Sequence, residues 1–173
     1  GGGIANGPAQ STGARYDPVA DRWQAMTTLG QPDPRWHPGA VWTGREVIIW
    51  GGELGSGFRA NDGGRYNPTT DRWVPMATTN APTGRSGHTS VWTGSLMIIW
   101  GGSSTPSGGR YDPESDTWTP TFMPAFSSPR AYPGVVWTGN ELVVWGGFLV
   151  WNGFDSMTGD RYDPLLDRWS PIS

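Results

Sequence analysis

Three short apolar runs recur along the chain: VIIW at 47–50, MIIW at 97–100 and LVVW at 142–145, each closed by a Gly pair. None contains a polar residue, so each predicts a strand with both faces buried. Eight residues before each closing Trp stands another, in the strings AVWTG (40–44), SVWTG (90–94) and VVWTG (135–139). β-Branched and aromatic residues ended by Thr-Gly predict a first strand, and the short connection after it has hairpin length. A polar loop of variable length follows each Gly pair. A third strand ends at Arg-Tyr-Asp-Pro or Arg-Tyr-Asn-Pro, because Pro removes a ladder donor and the Asp or Asn side chain caps the turn. A fourth strand carries a Trp seven residues after that Tyr. No stretch of useful length shows the 3.6-residue period of a helix. The pattern predicts an all-β chain.

The third-strand Tyr occurs four times, as Tyr16, Tyr66, Tyr111 and Tyr162, at separations of 50, 45 and 51 residues. Trp23, Trp73, Trp118 and Trp169 keep the same intervals. Several series held in step at one period mark a repeat architecture, and four short strands per unit of roughly 50 residues mark a β-propeller blade. With Gly-Gly after the second strand, Tyr-Asp-Pro after the third and Trp seven residues on, the sequence resembles bacterial kelch-repeat proteins over essentially its whole length. A WD40 propeller has a shorter unit ending in Trp-Asp, and no Trp here precedes an Asp. The resemblance implies strands A to D counted outward from a central axis. On this reading one propeller segment spans 1–173, with an outer half-blade at 1–28 and blades at 35–77, 85–121 and 130–173. About 3.5 four-stranded blades fall short of the roughly four to eight in a closed ring. The chain is therefore expected to form part of a larger ring, with further blades from other sequence or another chain.

Composition narrows the function. The 12 Trp and 27 Gly of this 173-residue chain suit blades that press large flat rings against close backbone. No Cys means no disulfide, thiolate metal site or Cys nucleophile. All 12 basic residues are Arg against 15 acidic ones, and a net charge of −3 gives no electrostatic reason for a nucleic-acid partner. No apolar run is long enough to span a bilayer. An extracellular or periplasmic setting suits a thiol-free chain, with the cytoplasm left open. There is no Gly-x-Ser-x-Gly elbow, and without Lys no phosphate loop ending Gly-Lys-Ser/Thr. The two histidines, His37 and His88, lack metal-ligand spacing. No catalytic residue, metal site or cofactor is expected; a copper oxidase of the kelch group would need a Tyr–Cys cross-link.

The candidate site lies at the head of strand A. Arg35, Arg85 and Arg130 each stand seven residues before the Trp of that strand. The kelch resemblance implies that arginines at this point line a pocket for acidic peptides, with Trp36, His37, His88 and Tyr132 beside them. Planar guanidinium forks suit carboxylate or sulfate; the competing reading pairs each Arg with an Asp or a carbonyl of the neighbouring blade. Trp36 and Trp151 fall outside the repeat and suit stacking on a sugar. The B–C loops at 53–62, 103–107 and 148–159 vary most, and rigid scaffolds place recognition on such loops. Arg15, Arg65, Arg110 and Arg161, with Asp21, Asp71, Asp116 and Asp167, read as turn caps and inter-blade ion pairs. The function expected is a non-catalytic binding or scaffold module for a protein, peptide or glycan, acting through the central face and the B–C loops. Two alternatives are a carbohydrate-active kelch enzyme resembling sugar epimerases and a purely structural assembly subunit.

Overall fold

Every regular element in the computed structural model, which describes residues 12–102, 106–123, 128–149 and 156–172, is a strand. A hairpin of β1 (Ala14–Asp17) and β2 (Arg22–Ala25) comes first. β3 (Arg35–Trp36), β4 (Gly39–Trp42), β5 (Val47–Trp50), β6 (Glu53–Leu54), β7 (Gly63–Asn67) and β8 (Arg72–Pro75) follow. The next unit is β9 (Thr89–Trp92), β10 (Met97–Trp100), β11 (Gly108–Asp112) and β12 (Thr117–Pro120). The last is β13 (Arg130–Ala131), β14 (Gly134–Trp137), β15 (Leu142–Trp145), β16 (Phe148–Leu149), β17 (Gly159–Asp163) and β18 (Arg168–Ile172).

Three four-stranded antiparallel sheets form in chain order, β4-β5-β7-β8, β9-β10-β11-β12 and β14-β15-β17-β18. Each is one blade, in one register: the first aliphatic residue of the second strand opposes the Tyr of the third, as in Val47↔Tyr66, Met97↔Tyr111 and Leu142↔Tyr162. β9 lies against both β4 and β14, so the first strands are the inner ones. Among the described residues, β1–β2 has the outer pair alone, with Tyr16 opposite Trp23 as Tyr66 is opposite Trp73. Two further ladders were not expected from the sequence: β3 pairs with β6 and β13 with β16, tying the start of the first and third B–C loops to the residues just before the first strand.

The core lies between blades. Strand alternation sends Met97 and Ile99 of β10 toward Ile48, Trp50 and Met76 of the first complete blade. It sends Ile98 and Trp100 toward Leu142, Val144 and Trp169 of the third. Across each gap a second-strand Trp meets the fourth-strand Trp of the next blade: Trp50 with Trp118 at 5.3 Å between centroids, and Trp100 with Trp169 at 4.9 Å. The expectation that all three aliphatic strands are buried on both faces holds for β10 alone. β5 leaves Val47 and Ile49 half-buried and β15 leaves Trp145 exposed, because only the middle blade has a complete blade on either side.

The outer rim repeats a polar set. Asp17, Asn67, Asp112 and Asp163 cap their own turns by accepting backbone N–H bonds from two residues on. The other Asp series, read from sequence with the third-strand arginines as turn caps and inter-blade ion pairs, joins blades chiefly through backbone N–H groups. Asp71, Asp116 and Asp167 each accept the hydroxyl of their own Tyr at 2.6 Å and a backbone N–H from the preceding unit, from Thr27, Ala77 and Phe122. The third-strand arginines cross the same gap, but to carbonyls: Arg15 donates to Pro68, Arg65 to Pro113 and Arg110 to Pro164. Arg110 also stands 3.8 Å from Asp167 in the next blade.

Candidate functional site

Just inside the first strands, the three residues two positions after Arg35, Arg85 and Arg130 are His37, Gly87 and Tyr132. All three have left-handed backbone, with φ of 50°, 65° and 53°. Glycine takes that conformation freely, whereas a His or a Tyr held in it costs of order 1 kcal/mol or more. Gly87 also leaves room for its neighbour: a Cβ there would come within 3.0 Å of the Tyr132 ring. Tyr132 donates its backbone N–H to the Gly87 carbonyl at 2.8 Å and reaches across to meet the His37 ring edge-on, centroids 5.7 Å apart. Two rings from blades that do not adjoin thus meet at the axis, and both are exposed, Tyr132 by 63%. The short ladders set the surroundings, with Trp36 opposite Glu53 and Ala131 opposite Phe148. The loop after β6 folds on itself through a Glu53–Arg59 bridge and turns Phe58 out to solvent.

The three arginines lie beneath this surface, each at most 5% exposed. Arg35 donates Nη1 to the Gly51 and Asp62 carbonyls, both at 3.1 Å, and to the Asp62 carboxylate at 2.9 Å. Arg85 donates Nη1 to the carbonyls of Gly101 and Ser107, and Nη2 to the Ser107 and Thr83 hydroxyls. Arg130 binds the Thr158 carbonyl and hydroxyl and, at 2.9 Å, the buried Asp160 carboxylate. Each guanidinium therefore ties the head of a blade's first strand to the end of that blade's own B–C loop. Its partners belong to the same blade, not to the neighbour. Burial pulls the Arg85 guanidinium down to about 10. A signal for these partners was present in the sequence: Asp62, Ser107 and Thr158, all oxygen-bearing, stand four residues before the repeating Tyr.

His88 does not join His37 and Tyr132. It is wedged between blades, edge-on to Trp50 at 5.4 Å. A Cβ on Gly39 would come within 2.5 Å of its Nε2, and one on Gly51 within 2.7 Å of its Cε1. Both ring nitrogens are shut off from solvent without a hydrogen-bond partner of normal geometry. Burial first, then the Arg85 charge, pushes the imidazole down to about 4, and the Arg85 carbonyl opposes this only in part. Trp151 lies outside the described residues. Among those described, no three His, Asp or Glu side chains stand close enough to hold a metal ion, and no helix is long and apolar enough to cross a membrane.

Four-stranded antiparallel blades stacked around an axis lined by their first strands define an arc of an all-β propeller. No protein-family profile matches the chain, and no curated protein does. Among solved structures it is similar to that of YjhT, with a TM-score of 0.73 at 18% identity over 99% of this chain. The match spans 64% of the YjhT chain, and at that identity it speaks for the fold alone.

Proposed function

We propose that this chain is a kelch-type propeller segment serving as a non-catalytic binding module, with its protein, peptide or glycan ligand held at the axis mouth. The observation that carries the reading is the exposed His37–Tyr132 ring pair, kept in left-handed backbone at equivalent points of two blades. Strain at such positions persists where surrounding structure enforces it and clusters at binding surfaces. Flat rings with a polar edge suit stacking against a sugar or an extended peptide. Phe58 and Phe148, exposed on the adjoining loops, widen the apolar contact. The buried arginines support the mouth by fixing loop ends, and the ligand meets the rings. Such a module suits an extracellular or periplasmic setting.

The test uses glycan and acidic-peptide arrays, probed with the parent chain and with a His37→Gly, Tyr132→Gly variant. Glycine removes each ring while relaxing its backbone, so the melting temperature holds or rises slightly. Ligands retained by the parent are expected to bind the variant at least about tenfold more weakly. Equal retention by both proteins, or no retention by the parent on either array, contradicts the reading.

A further inference from the structure

The gap between the first complete blade and the middle one carries a titratable ring at its head. His88 stands there, where the other two complete blades have Pro38 and Pro133. The notch that receives it is cut by two glycines of the first complete blade, Gly39 and Gly51, with Trp50 against the ring. At the matching point between the middle and third blades, Thr89 takes the place of Gly39 and Pro133 that of His88. Part of the residue reaches the surface, yet both ring nitrogens are sealed.

This wedge touches both halves of the exposed ring pair. Gly39 follows His37 by two residues, and Gly87, the seat of the Tyr132 ring, directly precedes His88. Two main-chain bonds between blades flank it, Gly52 N–H to the Arg85 carbonyl and Tyr132 N–H to the Gly87 carbonyl, both at 2.8 Å. Its surroundings suit a neutral ring alone. β4, β5 and β9 contain no ionisable residue, and Gly102 packs behind its Cβ. His37 just before β4 and Glu53 just after Gly52 are the nearest ionisable groups on the facing blade by sequence. The charge that bears on the imidazole is the Arg85 guanidinium, which repels a second cation. The Arg85 carbonyl already accepts the Gly52 N–H. An imidazolium with two N–H donors therefore goes unsatisfied in the notch.

We infer that His88 is an acid-sensitive wedge governing the axis mouth: on protonation the ring leaves its notch for solvent, the heads of the first and middle blades part, and the apposition of His37 and Tyr132 is lost. Acidification then releases a bound ligand, a regulation that rests on the mouth being the ligand site. Linkage fixes the sign. The folded imidazole is held down to about 4, and once freed it returns to about 6.5. Closure is therefore full above about pH 6.5 and weakens as pH falls toward 4. Between pH 7.5 and pH 5 the open fraction rises about 25-fold.

Amide exchange followed by NMR on the intact chain, with no ligand added, reads the gate directly. Corrected for the pH dependence of intrinsic exchange, protection of the Gly52 and Tyr132 amides should fall about 25-fold from pH 7.5 to pH 5. Both should exchange faster than Ile98 and Ile99 at either pH. His88→Leu and His88→Phe fill the notch without titrating and should hold protection within about threefold over the same range. His37→Asn leaves a single histidine, whose ring signal should titrate in step with the loss at the two amides. The proposal is overturned by unchanged protection in the parent, by an equal loss in either His88 variant, or by a loss that His37→Asn abolishes. Exchange no faster than that of Ile98 and Ile99 overturns it too, since that is global unfolding. If neither His88 variant folds, the His37→Asn chain decides: a ring that titrates with no change at the amides contradicts the wedge. A mouth that opens in acid yet retains nothing on the glycan and peptide arrays fails the ligand reading and leaves the gate standing.

Discussion

Single residues here act mainly as fasteners between strands and blades. The Tyr–Asp pairs recur four times, but their surroundings differ: Tyr111 is fully buried and Tyr16 is 48% exposed. Tyr111→Phe leaves Asp116 short of a donor beside a buried ring and should cost about 1–3 kcal/mol in urea denaturation. Tyr16→Phe should change stability by less than about 0.5 kcal/mol. Burial, then the bond to Asp71, pushes the Tyr66 hydroxyl up to about 12. The unfolded chain then loses its tyrosine protons first, so this contribution is present below about pH 10 and is lost as pH rises toward 12. The sign reverses for His88, whose folded value lies below its unfolded one. Its contribution is full above about pH 6.5 and lost as pH falls toward 4, amounting to about 2 kcal/mol between pH 7.5 and pH 5. Urea midpoints at those two pH values measure it, and His88→Phe should flatten the difference. The arginine heads were legible as a series, but their partners only in part, through the oxygen-bearing residue four positions before each repeating Tyr. Intra-blade carbonyls carry no mark in sequence, and Asp62, Ser107 and Thr158 share a position without sharing a residue type.

Among elements, the second strand organises the molecule, because its two faces serve two different gaps. The aliphatic run and its closing Trp made every such strand visible in sequence, as the Tyr-Asp-Pro and Trp spacings did for the third and fourth. Burial was not visible, since it depends on whether a blade stands on the other side. β10 is sealed and β15 is not, although MIIW and LVVW read alike. The pairs β3–β6 and β13–β16 were hidden for a different reason: two-residue ladders have no periodicity to show. The Trp–Trp contacts set the energy at each gap. Trp118→Ala should cost about 3–5 kcal/mol by removing a buried ring that meets both Trp50 and Tyr111. Trp23→Ala, at an equivalent position but 70% exposed, should cost less than about 1 kcal/mol. Denaturant midpoints of the two variants check the contrast.

As a whole, the molecule is an arc in which one interface repeats from blade to blade, and stability follows position along it. Among the described residues, the middle blade is gripped on both faces by ring packing and rim bonds, its neighbours on one face by a complete blade, and the half-blade by its rim. Repeat architectures of this kind gain stability from each unit's interfaces with its neighbours, and segments with less apolar surface packed against them open more readily. Hydrogen exchange read by mass spectrometry on the intact chain tests this gradient. The slowest exchange is expected in Met97–Trp100 and Gly108–Asp112, intermediate exchange in Val47–Trp50 and Leu142–Trp145, and the fastest in Ala14–Asp17 and Arg22–Ala25. Protection in the opening hairpin equal to that of the middle blade, or uniform exchange along the chain, would contradict it.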